Sequence, residues 1–461
     1  MSLLLWFDHN ICYYIPRMLI IGIYPSPPEA VMLVEFRFKN FRSFKGEAVL
    51  SMLPVKAYKE HPSNLLPIAP KGTGAQGVLS AAAIYGPNAS GKSNVLRAID
   101  YARVLILGLA QPAAPGGAPA FVGNEGEPSE FCFCIVAGGA RYDYELAVRG
   151  SGVVREELRT YPKGDRLVFR RSALPGGSYE VEQGSYYPGI ASRLRGFSDS
   201  GPVLGLLAKY GIRECSDVYG WFSERLVVRN QAATPLSYPD VVERLRGLSS
   251  RSFERVVDAL RAADLGIRGV QLAVEPLTEE EREQQRVLLE KASAVYAAIT
   301  GEEPPAAAAP GEKVTFQLQH LIGGRSVGFG FDDESFGTVT MLALAADLLN
   351  AMERGQVLAI DEIERSLHPV LLRRLVGLFS DRHLNDKNAQ LVFTTHGLSL
   401  MAGDLLRRDQ IWFVEKSGET GESDLYSLAA FSPRKDDSVL NRYLRGAYGA
   451  VPYDGEGLID D

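Results

Sequence analysis

Eight residues with the spacing of a phosphate-binding loop are the first candidates for chemistry. They are Gly86, Pro87, Asn88, Ala89, Ser90, Gly91, Lys92 and Ser93, and Asn94 follows them. An apolar, strand-like run precedes the loop from Val78 to Tyr85, and apolar residues at helical spacing follow it from Asn94 to Leu107. In such a turn backbone N–H groups surround phosphate oxygens, and the helix N-terminus faces the same anion. The pattern predicts a nucleoside triphosphate site, with Lys92 on the β- and γ-phosphates and the Ser93 hydroxyl on Mg²⁺.

A second apolar run, Gln356 to Asp361, indicates a buried strand that ends in acids. Asp361 is positioned to hold Mg²⁺, and the next residue, Glu362, to orient and deprotonate the attacking water. A further strand, Gln390 to Thr394, leads to His396, which we expect to hydrogen-bond the γ-phosphate or the water. Alternatively, Asp361 and Glu362 are only surface acids and His396 is only structural. The phosphate loop upstream favours the catalytic interpretation.

The spacing of these motifs predicts a large insertion. Lys92 and Asp361 are 269 positions apart (361 − 92), whereas a compact phosphate-loop domain places them within roughly 100 residues. Just before the acidic strand, Glu334 to Thr338 places a small hydroxyl and a glycine at the start of a predicted helix, Val339 to Met352. This is a second anion cradle if it closes over the nucleotide of a partner, and otherwise only a helix cap.

Composition is that of a soluble globular protein: 461 residues, 46% hydrophobic and 23% charged. The net charge of −7 argues against nucleic-acid binding by the whole surface, although a local basic patch stays open. The four cysteines, Cys12, Cys132, Cys134 and Cys215, are too few for a disulfide framework, which fits a reducing cytoplasm.

No apolar stretch reaches the roughly 18 residues of a membrane helix, so we expect no membrane contact. Residues 1–31 carry interrupted apolar bursts, and regular strand alternation begins at Met32. We therefore expect residues 1–31 to be an N-terminal extension that precedes the true start. Peptides from residues 1–31 in the natively expressed protein would contradict this.

The remaining patterns give a coarse division of the chain. Strands are predicted at 33–41, 47–53, 130–136, 141–149, 153–160, 166–171, 313–319, 326–331, 410–416 and 425–428, and helices at 203–209, 217–228, 239–248, 252–263 and 278–299. We expect residues 32–200 and 312–461 to form two halves of one head, with 201–311 as a helical insertion or arm.

Several motifs together resemble a known family. They are Phe38 to Phe44, the loop Gly86 to Ser93, Glu334 to Thr338, Ile360 to Glu364 with Ser366 to Pro369, Thr394 to His396, and the terminal Tyr443 to Pro452. The chain resembles the ABC-type head ATPases related to RecF and SMC proteins. More narrowly, it is similar to the RloA-like AAA-type ATPases of bacterial abortive-infection and anti-phage loci. The resemblance implies an α/β fold, a P-loop NTPase with an ABC-type head: a mixed sheet, an antiparallel β-meander and a helical insertion.

The resemblance also implies an assembly, in which two heads sandwich two ATP molecules and Ser335 and Gly337 contact the γ-phosphate across the dimer. Ser366 to Pro369 would link the two sites, and Arg42 would lie near the nucleotide. The segment Glu334 to Thr338 takes the place of the signature motif of ABC heads, and it lacks the double glycine that transporter heads have there. The glutamine that senses Mg²⁺ is not identifiable, since Gln111 lies in an Ala/Pro-rich linker.

Three functions compete at this stage. The first is an ATP-hydrolysing regulator of phage defence that controls a separately encoded effector such as a nuclease, because only 65 residues (461 − 396) follow His396. The second is a DNA-repair clamp with a basic groove, for which the best candidates are Arg155, Arg159, Lys163, Arg166, Arg170 and Arg171. The third is a scaffold that uses ATP only to dimerise, against which Glu362 speaks.

Overall fold

The computed structural model describes ten segments of the chain: 31–109, 120–150, 152–162, 164–196, 200–230, 236–263, 266–300, 312–365, 367–434 and 437–451. The expectations for residues 1–30, Gln111, Lys163, Ser366 and Pro452 lie outside the described residues. The strands are β1 Met32–Phe41, β2 Phe44–Ser51, β3 Leu65–Leu66, β4 Val78–Leu79, β5 Ala81–Tyr85, β6 Ser129–Ala137, β7 Ala140–Arg149, β8 Gly152–Thr160, β9 Arg166–Ala173, β10 Tyr179–Gln183, β11 Leu226–Asn230, β12 Ile267–Pro276, β13 Glu312–Ile322, β14 Arg325–Phe329, β15 Val357–Asp361, β16 Gln390–Thr394, β17 Ile411–Lys416 and β18 Ser423–Ser427. The α-helices are α1 Lys92–Ile106, α2 Ile190–Arg193, α3 Leu204–Lys209, α4 Arg213–Gly220, α5 Tyr238–Arg246, α6 Ser250–Ala263, α7 Glu279–Thr300, α8 Phe336–Arg354, α9 Pro369–Gly377 and α10 Val439–Leu444.

A six-stranded mixed sheet carries the phosphate loop and the acidic strand. Its order is β11-β15-β16-β5-β17-β18, parallel except for the β17–β18 hairpin. Because carboxyl ends of parallel strands meet at one edge of a sheet, the chain segments that follow β5, β15 and β16 converge there. Every residue of these three strands is buried, as continuous apolar runs require in a sheet covered on both faces.

A seven-stranded antiparallel sheet forms the second layer, in the order β10-β9-β8-β7-β6-β1-β2. The predicted meander is thus confirmed, and it joins the N-terminal hairpin through the β1–β6 pair. Its core is aromatic: the rings of Phe36 and Phe133 lie 4.6 Å apart, and Phe38 and Phe44 lie 4.9 Å apart. Together the two sheets confirm the predicted α/β architecture.

Two apolar cores lie on opposite faces of the mixed sheet. Along β5, Ala82 and Ile84 enter the core shared with the antiparallel sheet, whereas Ala81, Ala83 and Tyr85 enter the core beneath α8. This alternation is the period of two that a strand imposes on its side chains. The helix α8 is buried along most of its length, which places its N-terminal turn firmly relative to the sheet.

The segment predicted as a helical insertion contains strands as well. The predicted helix Asp217 to Val228 is wrong at its end, where α4 passes through a π-helical turn, Trp221–Arg225, into β11. β11 pairs in parallel with β15 and completes the mixed sheet. Three further elements were not predicted from the sequence: β10, α9 and β12. The strand β12 joins β13 and β14 in a three-stranded sheet. The domain boundaries at 200/201 and 311/312 stay predictions, and β11 ties part of 201–311 to the head sheet.

Candidate functional site

The phosphate loop connects β5 to α1, and its backbone requires glycine at two positions. Gly86 has φ 152° and Gly91 has φ 109°, in the region that side chains disfavour. A Cβ on Gly86 would lie 2.2 Å from the Val414 carbonyl oxygen, and one on Gly91 would lie 2.6 Å from Ser423 Oγ. The β17–β18 hairpin therefore lies tight against the loop. The loop leads into the N-terminus of α1, and the N-terminus of a helix favours anions.

Two serines that the sequence analysis did not single out hold this loop in place. Ser423 Oγ donates to the Ser90 carbonyl oxygen at 2.6 Å, and Ser423 N–H donates to the Ser43 carbonyl oxygen at 2.7 Å. Asn94 Nδ2 donates to Ser43 Oγ at 2.9 Å. Serine is too common in turns for its type alone to have revealed these contacts, which depend on segments far apart in the chain.

Lys92 is buried at the start of α1. Its Nζ donates to the carbonyl oxygens of Gly86 at 2.8 Å and Pro87 at 2.9 Å, which uses two of the three donors of an ammonium group. Burial lowers the pKa of Lys92, and the carboxylates of Asp361 and its neighbours oppose that shift. The ammonium thus faces the acids that follow β15, as a site for a metal-bound triphosphate requires.

A threonine links the two candidate acids, Asp361 and Glu362. Thr394 Oγ1 donates to Asp361 Oδ1 at 2.6 Å and accepts the Glu362 N–H at 2.8 Å. Asp361 is 1% exposed, and its Oδ2 is buried without a hydrogen-bond partner among the described residues. Glu362 has φ 51°, an uncommon backbone conformation for a non-glycine residue that the hydroxyl of Thr394 helps to hold.

His396 follows β16, and a third acid contacts its backbone. The His396 N–H donates to Glu364 Oε1, while Glu364 Oε2 is buried and without a partner among the described residues. Burial and then the charge of Lys92 lower the pKa of His396, and Glu364, Glu362 and Asp361 oppose that shift. The structure therefore places His396 within the electrostatic influence of Lys92 and the acids. The contact of Glu364 with the His396 backbone was not predicted from the sequence.

The residues suit the magnesium that such a nucleotide carries. Carboxylate and hydroxyl oxygens are its preferred ligands, and the unpaired Oδ2 of Asp361 is an orphaned anionic acceptor beside Lys92. Ser93 occupies the first turn of α1, next to that lysine. Asp361 and Ser93 would hold the ion, which would neutralise charge on the β- and γ-phosphates when bound.

Arg42 lies in the turn between β1 and β2 with φ 53°. Its guanidinium carbon is 5.8 Å from the ring centre of Phe41. Burial and then the charge of Arg97 lower its pKa, and Arg97 in turn donates to Asn94 Oδ1 at 3.3 Å. The structure thus places Arg42 beside the first turns of α1, and its contact with nucleotide stays a prediction.

The second cradle lies at the start of α8. Ser335 caps this helix: its Oγ accepts the Thr338 N–H at 3.1 Å and lies 2.8 Å from Thr338 Oγ1. The next residue, Phe336, is 49% exposed and lies 5.4 Å from the guanidinium carbon of Arg365. Among the residues described here, neither Ser335 nor Gly337 has a hydrogen bond to the phosphate loop.

The segment expected to link two sites precedes α9. His368 caps that helix, since its Nδ1 accepts the Val370 N–H at 3.3 Å, and Pro369 begins it. Val370 is 53% exposed on the same turn.

Of the helices in the described segments, none is both long and apolar enough to span a bilayer.

Similar solved structures cover most of the chain at low identity. The "SMC head domain from Thermotoga maritima" is 14% identical with a TM-score of 0.36, over 86% of this chain and 98% of that one. The "SmcHead bound to the C-winged helix domain of ScpA" is 13% identical with a TM-score of 0.40, over 87% and 99%. RecF-ATP, a "recombination mediator protein", is 14% identical with a TM-score of 0.35, over 88% and 100%. No curated protein matches the sequence.

Family membership rests on the sequence itself. Residues 81–402 match the family described as "AAA domain, putative AbiEii toxin, Type IV TA system". The matched stretch begins with β5 and includes the phosphate loop, the start of α8, the acids after β15 and His396. The chain belongs to this AAA-domain family of P-loop ATPases.

Proposed function

We propose that this protein binds and hydrolyses ATP with Mg²⁺, and that hydrolysis requires a dimer in which each nucleotide lies between two heads. The observation that carries the proposal is the buried cluster after β5, β15 and β16, where Asp361 keeps an unpaired oxygen beside Lys92. Glu362 is the base that activates water, and His396 contacts the γ-phosphate or that water.

The dimer is supported by the position of the second cradle. Ser335 and Phe336 are exposed, and Ser335 hydrogen-bonds within its own helix turn rather than to the phosphate loop. Val370, after the linking segment, is exposed as well. In the proposed assembly Ser335 and Gly337 of one head bind the γ-phosphate held by the other, and Arg42 contacts the nucleotide on its own head.

We further propose that the nucleotide cycle controls a separately encoded effector, a nuclease being the first candidate, in bacterial defence against phage. The sequence matches a family whose description names a toxin of a toxin–antitoxin system, and this match supports such a role. The RloA-like motifs, including Thr394 to His396 and Tyr443 to Pro452, support the narrower assignment. The cytoplasm is the proposed location.

The clamp alternative depends on free basic groups, and its candidate arginines are largely occupied. Glu157 lies at the centre of three of them, with contacts of 2.7 Å to Arg155, 2.5 Å to Arg159 and 2.8 Å to Arg170. Arg171 is 1% exposed. The same three arginines also pair with Glu145, Asp165 and Glu182. A face neutralised in this way attracts phosphate backbones weakly, so these ion pairs favour the regulator over the clamp.

The dimer is tested by Ser335→Arg, which adds a large charged side chain to the second cradle. We expect ATP binding at the wild-type affinity, because the phosphate loop is untouched, and loss of hydrolysis. Mixing this variant with Lys92→Ala should restore part of the turnover, since one composite site then has both of its intact halves. Normal turnover by Ser335→Arg alone would show that Ser335 is only a helix cap.

A further inference from the structure

The C-terminal motif of the chain folds against the β17–β18 hairpin. Tyr443 Oη donates to the Ala450 carbonyl oxygen at 2.7 Å and closes the turn that follows α10. The Phe413 ring stacks on Tyr443 at 5.4 Å and on Tyr448 at 5.9 Å. The motif supplies none of the side chains assigned to the nucleotide above, although Tyr443 also packs 6.4 Å from Tyr85, the residue before the phosphate loop.

A glycine lets this turn approach the hairpin closely. Gly449 has φ 66°, and a Cβ there would lie 2.7 Å from both Glu415 Oε2 and Tyr426 Oη. Tyr426 Oη also lies 2.9 Å from the Tyr448 carbonyl oxygen. The close approach brings an acid of β17 and a tyrosine of β18 together with the C-terminal turn.

The three segments form an open cavity of about 390 Å³ at the protein surface, lined by Glu415, Tyr426, Ala430, Phe431, Tyr448 and Gly449. Phe431 stands at its mouth, 44% exposed, with its ring centre 5.8 Å from Tyr426 and 5.3 Å from Tyr448. Its volume is within the range of roughly 300–1,000 Å³ that small-ligand sites occupy. Of the three aromatic rings that line it, Phe431 is the most exposed, since Tyr448 is 2% exposed and Tyr426 is half-buried, and an aromatic face attracts cations.

An exposed acid also lines the cavity. Glu415 is exposed, and its Oε2 accepts a hydrogen bond from Tyr426 at 3.1 Å. Burial and then the Glu415 charge raise the pKa of Tyr426, so the phenol stays protonated. Within the described segments Glu415 forms no ion pair, and no basic side chain stacks on Tyr426, Phe431 or Tyr448.

We propose that this cavity binds an arginine side chain of a partner polypeptide, with the guanidinium stacked on Phe431 and hydrogen-bonded to the Glu415 carboxylate. A planar guanidinium suits both contacts, because it stacks on aromatic faces and presents paired donors to a carboxylate. Residues 452–461 do not supply the cation, since they contain four acids and no lysine or arginine. This inference is independent of the proposed ATP chemistry.

Ligand-observed NMR with the full-length protein tests the site. The probes are N-acetyl-arginine N-methylamide, its neutral citrulline analogue, free arginine and tetramethylammonium. We expect saturable binding of the arginine amide, weakened roughly three- to tenfold by Phe431→Ala and by Glu415→Gln. Two matched controls lie outside the cavity lining, Leu444→Ala for an exposed apolar side chain and Glu419→Gln for an exposed acid, and both should bind as wild type.

Each probe has an outcome that would overturn part of the proposal. Equal binding of the citrulline analogue would exclude recognition of charge, and tighter binding of tetramethylammonium would exclude a guanidinium site. Clearly tighter binding of free arginine would point to a small metabolite instead of a polypeptide. Absence of saturable binding by wild type, or unchanged binding by both cavity variants, would refute the site.

Discussion

Replacement of Thr394 by valine tests how Asp361 and Glu362, the proposed catalytic acids, are positioned. The change removes one hydroxyl and keeps the β-branched shape that suits a strand. That hydroxyl donates to Asp361 Oδ1 at 2.6 Å and accepts the Glu362 N–H at 2.8 Å. Thr394 is fully buried, so water does not readily replace either contact.

The expected size of the effect follows from these two contacts. A hydrogen bond to a charged group contributes about 1.5–3 kcal/mol, and a buried donor left unsatisfied costs about 1–3 kcal/mol. Because both contacts use one hydroxyl, the two effects overlap, and we expect a loss of about 2–4 kcal/mol in the free energy of unfolding. Turnover should fall at least about tenfold, since a misplacement worth 1.4 kcal/mol at the transition state already has that effect.

Denaturant unfolding and ATP turnover are measured together, with Thr340→Val as the matched control. Thr340 is 2% exposed, and its hydroxyl has no hydrogen-bond partner among the described residues. Its replacement removes an unsatisfied polar group, so stability should be unchanged or higher. Equal stability and turnover of Thr394→Val and Thr340→Val would refute the positioning role of Thr394.

Two further predictions concern Lys92 and His396. Lys92→Ala should abolish ATP binding measured by calorimetry, because it removes the buried ammonium at the start of α1, and tight binding by that variant would refute the site. In the nucleotide-free protein, NMR titration of the His396 ring should give a pKa below 6.5, with the neutral form populated at pH 7. Since a nearby positive charge disfavours imidazolium, Lys92→Ala should move that pKa upward, and a downward shift would contradict the proximity.

The sequence predicted the strands and loops at the centre of the mixed sheet well. Fully buried parallel strands such as β5, β15 and β16 are continuous apolar runs, and each is followed by a motif with fixed spacing. The start of β11 was misassigned as helix because Leu226 follows the π-helical turn Trp221–Arg225 with no glycine or proline to mark the change from helix to strand. Its parallel pairing with β15 depends on residues more than a hundred positions away, which local pattern does not encode.

The candidate site shows the same division between local and distant information. Gly86 and Gly91 were predictable because their spacing is a local motif, and the structure adds the contacts that require them. Ser423 was not predicted, and Thr394 was noted only as part of the motif Thr394 to His396, without its contact with the acids. Both contributions arise only when β18 and β16 come to lie beside the loop and the acids. Hydroxyl side chains are frequent throughout the sequence, so their type alone carried too little signal.

The central claim is tested most directly by measuring ATP turnover and solution mass together, for wild type and Glu362→Gln. We expect slow hydrolysis by wild type, and we expect the variant to bind ATP without cleaving it and to accumulate as a dimer or a higher assembly. Glu362→Gln replaces the carboxylate by an amide, which cannot act as the base, and it keeps the backbone contact of residue 362 with Thr394. Absence of both turnover and ATP-dependent association would contradict the account and favour a scaffold or an obligatory partner.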